Sequence, residues 1–352
     1  MIKVLVVEDS PVVQEFLVHI LSSDPEIWVI GTASNGEEAL EAVKRKKPDI
    51  ITMDINMPKM NGLEATRRIM ETHPTPIVIV SGSVDTREVA TTLRAMETGA
   101  LAIVQRPLGI GHPDHETTAN GLIQTVKLMS EVKIVRRHCR SQRGAAVPVV
   151  PSPTKVELEQ VKAKIEIVAI GASTGGPLAL QTILSGLPKD FPVPVLVVQH
   201  IAAGFIQGFV EWLGQKSALP IHVAAHGEYV HPGHIYVAPD GFHMGVKIGG
   251  RIALSRDEPE NGLRPSVSYL FRSIANVYRQ NSVGVLLTGM GSDGAVELEG
   301  LKEKGAITIA QDKESSVVHG MPGRAIELGA ATYVLPPEKI APALTGLVNT
   351  TR

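Results

Sequence analysis

The chain has 352 residues, of which 43% are apolar and 20% charged, with a formal net charge of -2. That length exceeds what one hydrophobic core ordinarily serves, roughly 250 to 300 residues, so two cores are expected. The near-neutral charge argues against a nucleic-acid partner. Apolar runs such as Pro194 to Val198 are far too short to cross a bilayer, and a single cysteine, Cys139, excludes an internal disulfide framework and a thiolate metal cluster. A cytoplasmic protein without membrane insertion is expected.

From Lys3 onward, short β-branched runs alternate with helix-length amphipathic segments, the pattern of a parallel sheet covered by helices on both faces. Strands are predicted at Lys3 to Val7, Ile27 to Gly31, Asp49 to Met53, Ile77 to Val80 and Leu101 to Val104, with a last helix from His115. These elements predict one doubly wound α/β domain over residues 1–125. Residues 126–163 turn basic and then Pro-rich, through Pro148, Pro151 and Pro153, and read as a linker that carries Cys139. Alternation restarts with Ile165 to Ile170 and continues through Val193 to Gln199, Val283 to Thr288 and Ala306 to Ala310. A second parallel sheet, Rossmann-like in pattern, is therefore predicted over residues 164–349. Between His222 and Leu254 the helical pattern lapses into turn residues and short strands, which predicts an appended antiparallel hairpin.

In an open parallel sheet, ligands bind beyond the carboxyl ends of the strands. Past the first strand stand Glu8 and Asp9, and past the third stands Asp54. Three carboxylates converging on one rim repel each other unless a hard cation such as Mg²⁺ compensates them. Ser81, ending the fourth strand, offers a hydroxyl to an anion, and Arg106, after the fifth, offers a cation. Singly, each acid also reads as a helix cap or a solvated loop residue.

As a set they resemble the receiver domains of bacterial response regulators, which are flavodoxin-like. The shared segments are Val7-Glu8-Asp9-Ser10, Met53 to Pro58, Asn61-Gly62, Ser81-Gly82 and Arg106-Pro107. The resemblance implies that Asp54 is the phosphoacceptor and that Glu8, Asp9 and Asp54 hold Mg²⁺. It further implies that Ser81 and Arg106 contact the phosphoryl group and that a histidine kinase is the phosphodonor. Two positions depart from the family, which places a lysine where Arg106 stands and usually an aromatic residue where Ile103 stands.

After the strand Ile165 to Ile170 comes Gly171-Ala172-Ser173-Thr174-Gly175-Gly176-Pro177, a glycine-flanked serine at a strand-to-helix turn. Such a turn lifts a hydroxyl above the sheet and places unpaired helix amides where an oxyanion would form. The same turn also suits a phosphate or a dinucleotide, and a serine there can simply cap the helix. A candidate base, His200, ends another strand, and a candidate acid, Asp293, follows Val283 to Thr288. A serine hydroxyl needs an imidazole to take its proton and a carboxylate to orient that imidazole. The order Ser, His, Asp differs from that of the α/β-hydrolases.

Together these segments resemble the catalytic domain of the CheB chemotaxis methylesterases. The likeness extends through Gly204-Phe205, His231-Pro232-Gly233, Val237-Ala238-Pro239, Arg264 to Val267, Leu287 to Gly294 and Gly320-Met321-Pro322. It implies Ser173 as nucleophile, His200 as general base and acid, Asp293 as its orienting carboxylate, and Thr174 and the Met290 amide as oxyanion support. It also implies glutamate γ-methyl esters on methyl-accepting chemotaxis receptors as substrate, glutamine deamidation as a second activity, and no cofactor for the ester chemistry. Docking of the receiver over the serine until Asp54 is phosphorylated is expected from the domain order. A signalling adaptor without catalysis and a nucleotide-binding domain are the competing readings. The histidines His222, His226, His231, His234 and His243 lack cysteines and helical spacing, so they are not read as a metal site.

Overall fold

The structure, a computed structural model, describes residues 1–82, 86–132 and 163–349. Most of the expected linker, with Cys139 and the Pro-rich run, lies outside the described residues.

The first sheet contains β1 (Ile2–Val7), β2 (Ile27–Ala33), β3 (Ile50–Met53), β4 (Ile77–Ser81) and β5 (Ala102–Gln105), all parallel, in the order β2-β1-β3-β4-β5. Helices α1 (Pro11–Ser22), α2 (Gly36–Lys46), α3 (Gly62–Thr72), α4 (Thr86–Thr98) and α5 (His115–Ser130) connect and cover the strands. Strands β3 and β4 are buried throughout, because helices pack on both faces of the sheet. Helix α2 illustrates local encoding: the Asn35 side chain accepts from the amides of Glu37 and Glu38, while Glu38 reaches back to the Ser34 amide. Helix α5 runs past residue 125 because Val126 and Met129 continue the apolar face begun by Leu122 and Ile123.

The second sheet has seven parallel strands: β6 (Ile167–Ala172), β7 (Val195–Gln199), β8 (Ile221–Val223), β9 (Ile235–Val237), β12 (Ser282–Leu286), β13 (Ile307–Gln311) and β14 (Tyr333–Leu335). Their order is β14-β13-β12-β6-β7-β9-β8, which puts β6 at the centre with β12 and β7 on either side. The turn-rich stretch after His222 yields the antiparallel pair β10 (His243–Lys247) and β11 (Arg251–Ser255), and it also contributes β8 and β9 to the parallel sheet. Those three-residue strands are too short to show a period. Helices α6 (Gly176–Ser185), α7 (Ile206–Gly214), α8 (Val267–Val277), α9 (Ala295–Glu303), α10 (Met321–Glu327) and α11 (Pro337–Asn349) complete the unit. Among the described residues, no helix is long and apolar enough to cross a membrane.

The two units share apolar packing. Val89 and Leu93 of α4 join the core around α6 and α7, Leu178 packs on the core of the first unit, and Ile103 of β5 touches both. At the edge of this contact the Glu97 carboxylate accepts from Gln181 Nε2 (3.0 Å) and Lys216 Nζ (2.8 Å).

Close approach of α8 to the sheet depends on Gly171 in β6, where an added Cβ would lie 2.3 Å from Val267 Cγ1. Gly171→Ala should therefore destabilise the chain by about 1–3 kcal/mol through overpacking. Adding Val267→Ala should recover part of the loss, as read from urea unfolding midpoints. An unchanged midpoint in the single variant would refute this packing account.

Candidate functional sites

Two groups of side chains gather at the carboxyl ends of the two sheets. In the first unit, β1 and β3 are neighbours in the sheet, so the residues that follow them meet. Carboxylate oxygens of Glu8, Asp9 and Asp54 all lie within 4.8 Å of one another, a donor set that suits a hard cation. Gly62 permits the tight turn beyond β3, since a Cβ there would lie 2.0 Å from the Asp54 carbonyl oxygen.

Glu8 is 1% exposed. Burial, reinforced by the charge of Asp54 and partly opposed by Arg106, pushes its pKa up to about 7. Burial likewise raises Asp54, against hydrogen bonds from the amides of Ile55 and Asn56. Arg106 Nη2 stands 3.1 Å from Glu8 Oε2, and its Nε is buried without a hydrogen-bond partner among the described residues. Ser81 is buried beside it, its carbonyl accepting from the Arg106 amide at 2.8 Å. All five predicted residues thus stand at the carboxyl end of the first sheet, at or just past β1, β3, β4 and β5.

In the second unit the central strand β6 ends at Ala172, and Ser173 follows it into the turn before α6. The Ser173 amide donates to Thr288 O (3.0 Å), and Gly175 adopts a φ of 79° that favours glycine. Gly289 passes directly over the serine: a Cβ there would lie 2.6 Å from Ser173 Cβ and 2.3 Å from Met321 Sδ. His200 follows β7, and its amide donates to Ala172 O (2.9 Å). Ser173 and His200 line one cavity together with Thr174.

Asp293, beyond β12, is 4% exposed. Its Oδ2 lies 3.0 Å from His200 Nε2, a close contact whose alignment falls short of a full hydrogen bond. Oδ2 also accepts from the Val267 amide (2.6 Å), while Oδ1 accepts from Ser266 Oγ (2.9 Å) and the Ser268 amide (3.1 Å). Burial alone would raise this carboxyl, but His200 and the donors at the start of α8 outweigh it and hold the group well below the usual carboxylate range. The acid is therefore ionised at neutral pH, and Nδ1 is the ring nitrogen left for a hydroxyl.

Met290 is 49% exposed, and its amide donates to no carbonyl among the described residues. The Thr174 carbonyl is held by Thr288 Oγ1 at 2.9 Å. Sequence reasoning did not single out Ser266, Ser268, Thr288 or the Glu97 to Lys216 pair. Their partners lie 25 or more residues away in sequence, and only the N-capping position of Ser266 had a local signal.

The first unit closes over this site. Leu93, Met96, Ile103 and Val104 line the same cavity as Ser173 and His200. Elsewhere, His222 Nε2 and His234 Nδ1 pair at 3.0 Å with stacked rings, and His243 stacks on Tyr269.

Residues 168–344 match the CheB methylesterase family, and residues 4–112 match the response regulator receiver domain. The chain is 64% identical to a protein-glutamate methylesterase/protein-glutamine glutaminase of Nitrosospira multiformis over 99% of this chain and 97% of that one. It is 59% identical to one of Geobacter metallireducens over 99% of both. The crystal structure of the Thermotoga maritima CheB methylesterase catalytic domain, 42% identical, superposes with a TM-score of 0.51 and covers 53% of this chain and all of that one. The serine turn, the histidine beside a buried aspartate and the preceding acidic group all lie within the matched segments of this chain, and the chain belongs to the CheB methylesterase family, with a response regulator receiver domain at its N-terminal side.

Proposed function

We propose that this chain hydrolyses glutamate γ-methyl esters on methyl-accepting chemotaxis receptors, deamidates glutamine side chains with the same groups, and does so in the cytoplasm under control of Asp54 phosphorylation by a histidine kinase. The observation that carries the reading is the convergence of Ser173, His200 and Asp293 on one rim, with Nε2 of the imidazole 3.0 Å from the carboxylate. The proposed units are a receiver that runs through the end of α5, past the boundary expected at residue 125, then a linker up to residue 163 and a catalytic domain over 164–349.

In this mechanism Nδ1 of His200 takes the proton of the Ser173 hydroxyl as Oγ attacks the ester carbonyl. Asp293 stays ionised and stabilises the imidazolium. The Met290 amide and the turn at Thr174 face the developing oxyanion. As the C–OCH3 bond breaks, His200 returns the proton and methanol leaves. Water, activated by the same imidazole, then cleaves the acyl-enzyme and restores the glutamate carboxylate. With glutamine as substrate the leaving group is ammonia.

In the receiver, Mg²⁺ held by Glu8, Asp9 and Asp54 would neutralise charge during transfer of a phosphoryl group to Asp54. Ser81 and Arg106 would hold that group. Phosphorylation adds roughly -1.5 to -2 of charge next to the end of β5. The same strand brings Ile103 and Val104 over the serine cavity, so a shift of β5 reaches the contact that covers the nucleophile. The Glu97 to Lys216 pair is the polar edge of that contact.

Methanol release from methylated receptor fragments tests the chemistry. Ser173→Ala should lower turnover by roughly 10⁴-fold or more, whereas Thr174→Ala should cost no more than about 10³-fold. Equal activity of Ser173→Ala and wild type would end the serine mechanism.

Control is tested with Glu97→Lys, which sets two cations against each other at the interface. Its basal methanol release should rise above that of wild type, and the further gain from a small phosphodonor should shrink. Unchanged basal and stimulated rates would remove Glu97 from the covering contact.

The Mg²⁺ assignment predicts a pH dependence. Because the folded pKa of Glu8 lies above its ordinary value of 4.5, the metal-free receiver keeps this contribution to stability below about 4.5 and loses it as pH rises through about 7. Binding a cation expels the Glu8 proton. Mg²⁺ affinity, measured by titration calorimetry, should thus climb by up to about tenfold per pH unit below 7 and level off above it. A flat profile between pH 5 and 7 would contradict Glu8 as a ligand.

A further inference from the structure

Gln199 is the last residue of β7 and is 2% exposed, and no step described above uses its side chain. That side chain turns back toward the serine turn. Its Nε2 donates to the Ser173 carbonyl at 2.8 Å and to the His200 carbonyl at 2.7 Å. Both acceptors are carbonyl oxygens, so the nitrogen end of the amide must face them. The oxygen end is buried without a partner among the described residues, pressed against Gly176, where an added Cβ would lie 2.2 Å from it. An amide oxygen left unpaired in the interior is unfavourable, and an apolar side chain of similar size would avoid that penalty. The geometry therefore sets a local cost against whatever the nitrogen end accomplishes.

We infer that Gln199 is a positioning residue: its single NH2 group grips the carbonyls of the two residues that carry the nucleophile and its base, and so sets the spacing between hydroxyl and imidazole. This rests on the roles proposed for Ser173 and His200. The reason a clamp is needed is visible in the site. Among the described residues no hydrogen bond joins the Ser173 hydroxyl to His200, so their relative placement depends on the backbone. Ser173 is tied by its amide to Thr288 and His200 by its amide to Ala172. Gln199 supplies the tie that engages both residues at once, through their carbonyls. Gln199 borders the serine cavity but is almost wholly buried, and it acts through the backbone it holds; what it alters is how often the reacting atoms lie within reach.

Three variants of the full chain test the inference. Gln199→Met keeps the bulk and removes the donors, Gln199→Glu keeps the shape and repels both carbonyls, and Gly176→Ala drives a methyl group into the amide without changing it. A serine-directed phosphonate counts competent serines in each preparation, so that turnover is expressed per reactive Ser173. Turnover per serine should fall by about 10- to 100-fold in each, the scale expected for a misplacement near 1 Å, while KM for a methylated receptor fragment stays within about twofold. A merely structural role would lower the number of reactive serines and leave turnover per serine intact, and that result would overturn the inference. In the wild-type chain, both Nε2 hydrogens should exchange slowly with solvent in side-chain ¹⁵N spectra, and rapid exchange would overturn it equally. If the phosphonate fails to label wild-type Ser173, the serine assignment itself falls, which separates the two failures.

Discussion

The catalytic unit is organised around one buried negative charge. A carboxylate out of water is tolerable only when its lone pairs are met, and Asp293 meets them with His200, the Ser266 hydroxyl and the amides of Val267 and Ser268. Three of these donors open α8, whose N-terminus also favours negative charge. The requirement ties the loop after β12 to α8, and α8 to the centre of the sheet. Gly171 and Gly294 lack side chains where the Val267 methyl groups press in, which lets that helix come close enough. The imidazole is then held from one side by a charge that does not itself move.

The acidic pocket of the receiver follows the opposite logic. Its three carboxylates face one another with few donors, and Glu8 is driven up to about 7. Arg106 compensates only in part, through one contact to Glu8, its Nε having no hydrogen-bond partner among the described residues. An arrangement left short of positive charge responds strongly when a cation or a phosphoryl group arrives. One unit thus holds a buried carboxylate met by several donors, and the other a cluster of carboxylates short of positive charge. Both lie at the carboxyl edge of a parallel sheet, where strand ends and helix starts bring side chains together without disturbing the core.

The contact between the units joins these two behaviours. Strand β5 bears Arg106 just past its end, beside the acidic pocket, and Ile103 and Val104 in the wall of the serine cavity. Ile103 packs on both apolar cores where receivers usually carry an aromatic residue. A branched aliphatic side chain there serves as packing between the two units.

Much of this was legible in the sequence, for a physical reason. Strands of a parallel sheet are continuous apolar runs, and functional residues follow their ends, so Glu8, Asp54, Ser173 and His200 are marked by local pattern alone. The short strands β8 and β9 left no such mark, because three residues are too few to display a period. Asp293 was marked by its glycine-rich surroundings, but not the donors that make its burial possible, since Ser266 to Ser268 lie about two dozen residues earlier and meet it only after α8 has packed. Gln199 illustrates the limit most clearly. As the final residue of an apolar strand it reads as a boundary, and only the folded chain decides that its amide turns inward to grip two carbonyls that are 27 positions apart in the sequence. Local order thus determined which residue types stand at the strand ends; the close packing of helices on the sheet decided which of them touch, because contact across the fold has no representation in the spacing along the chain.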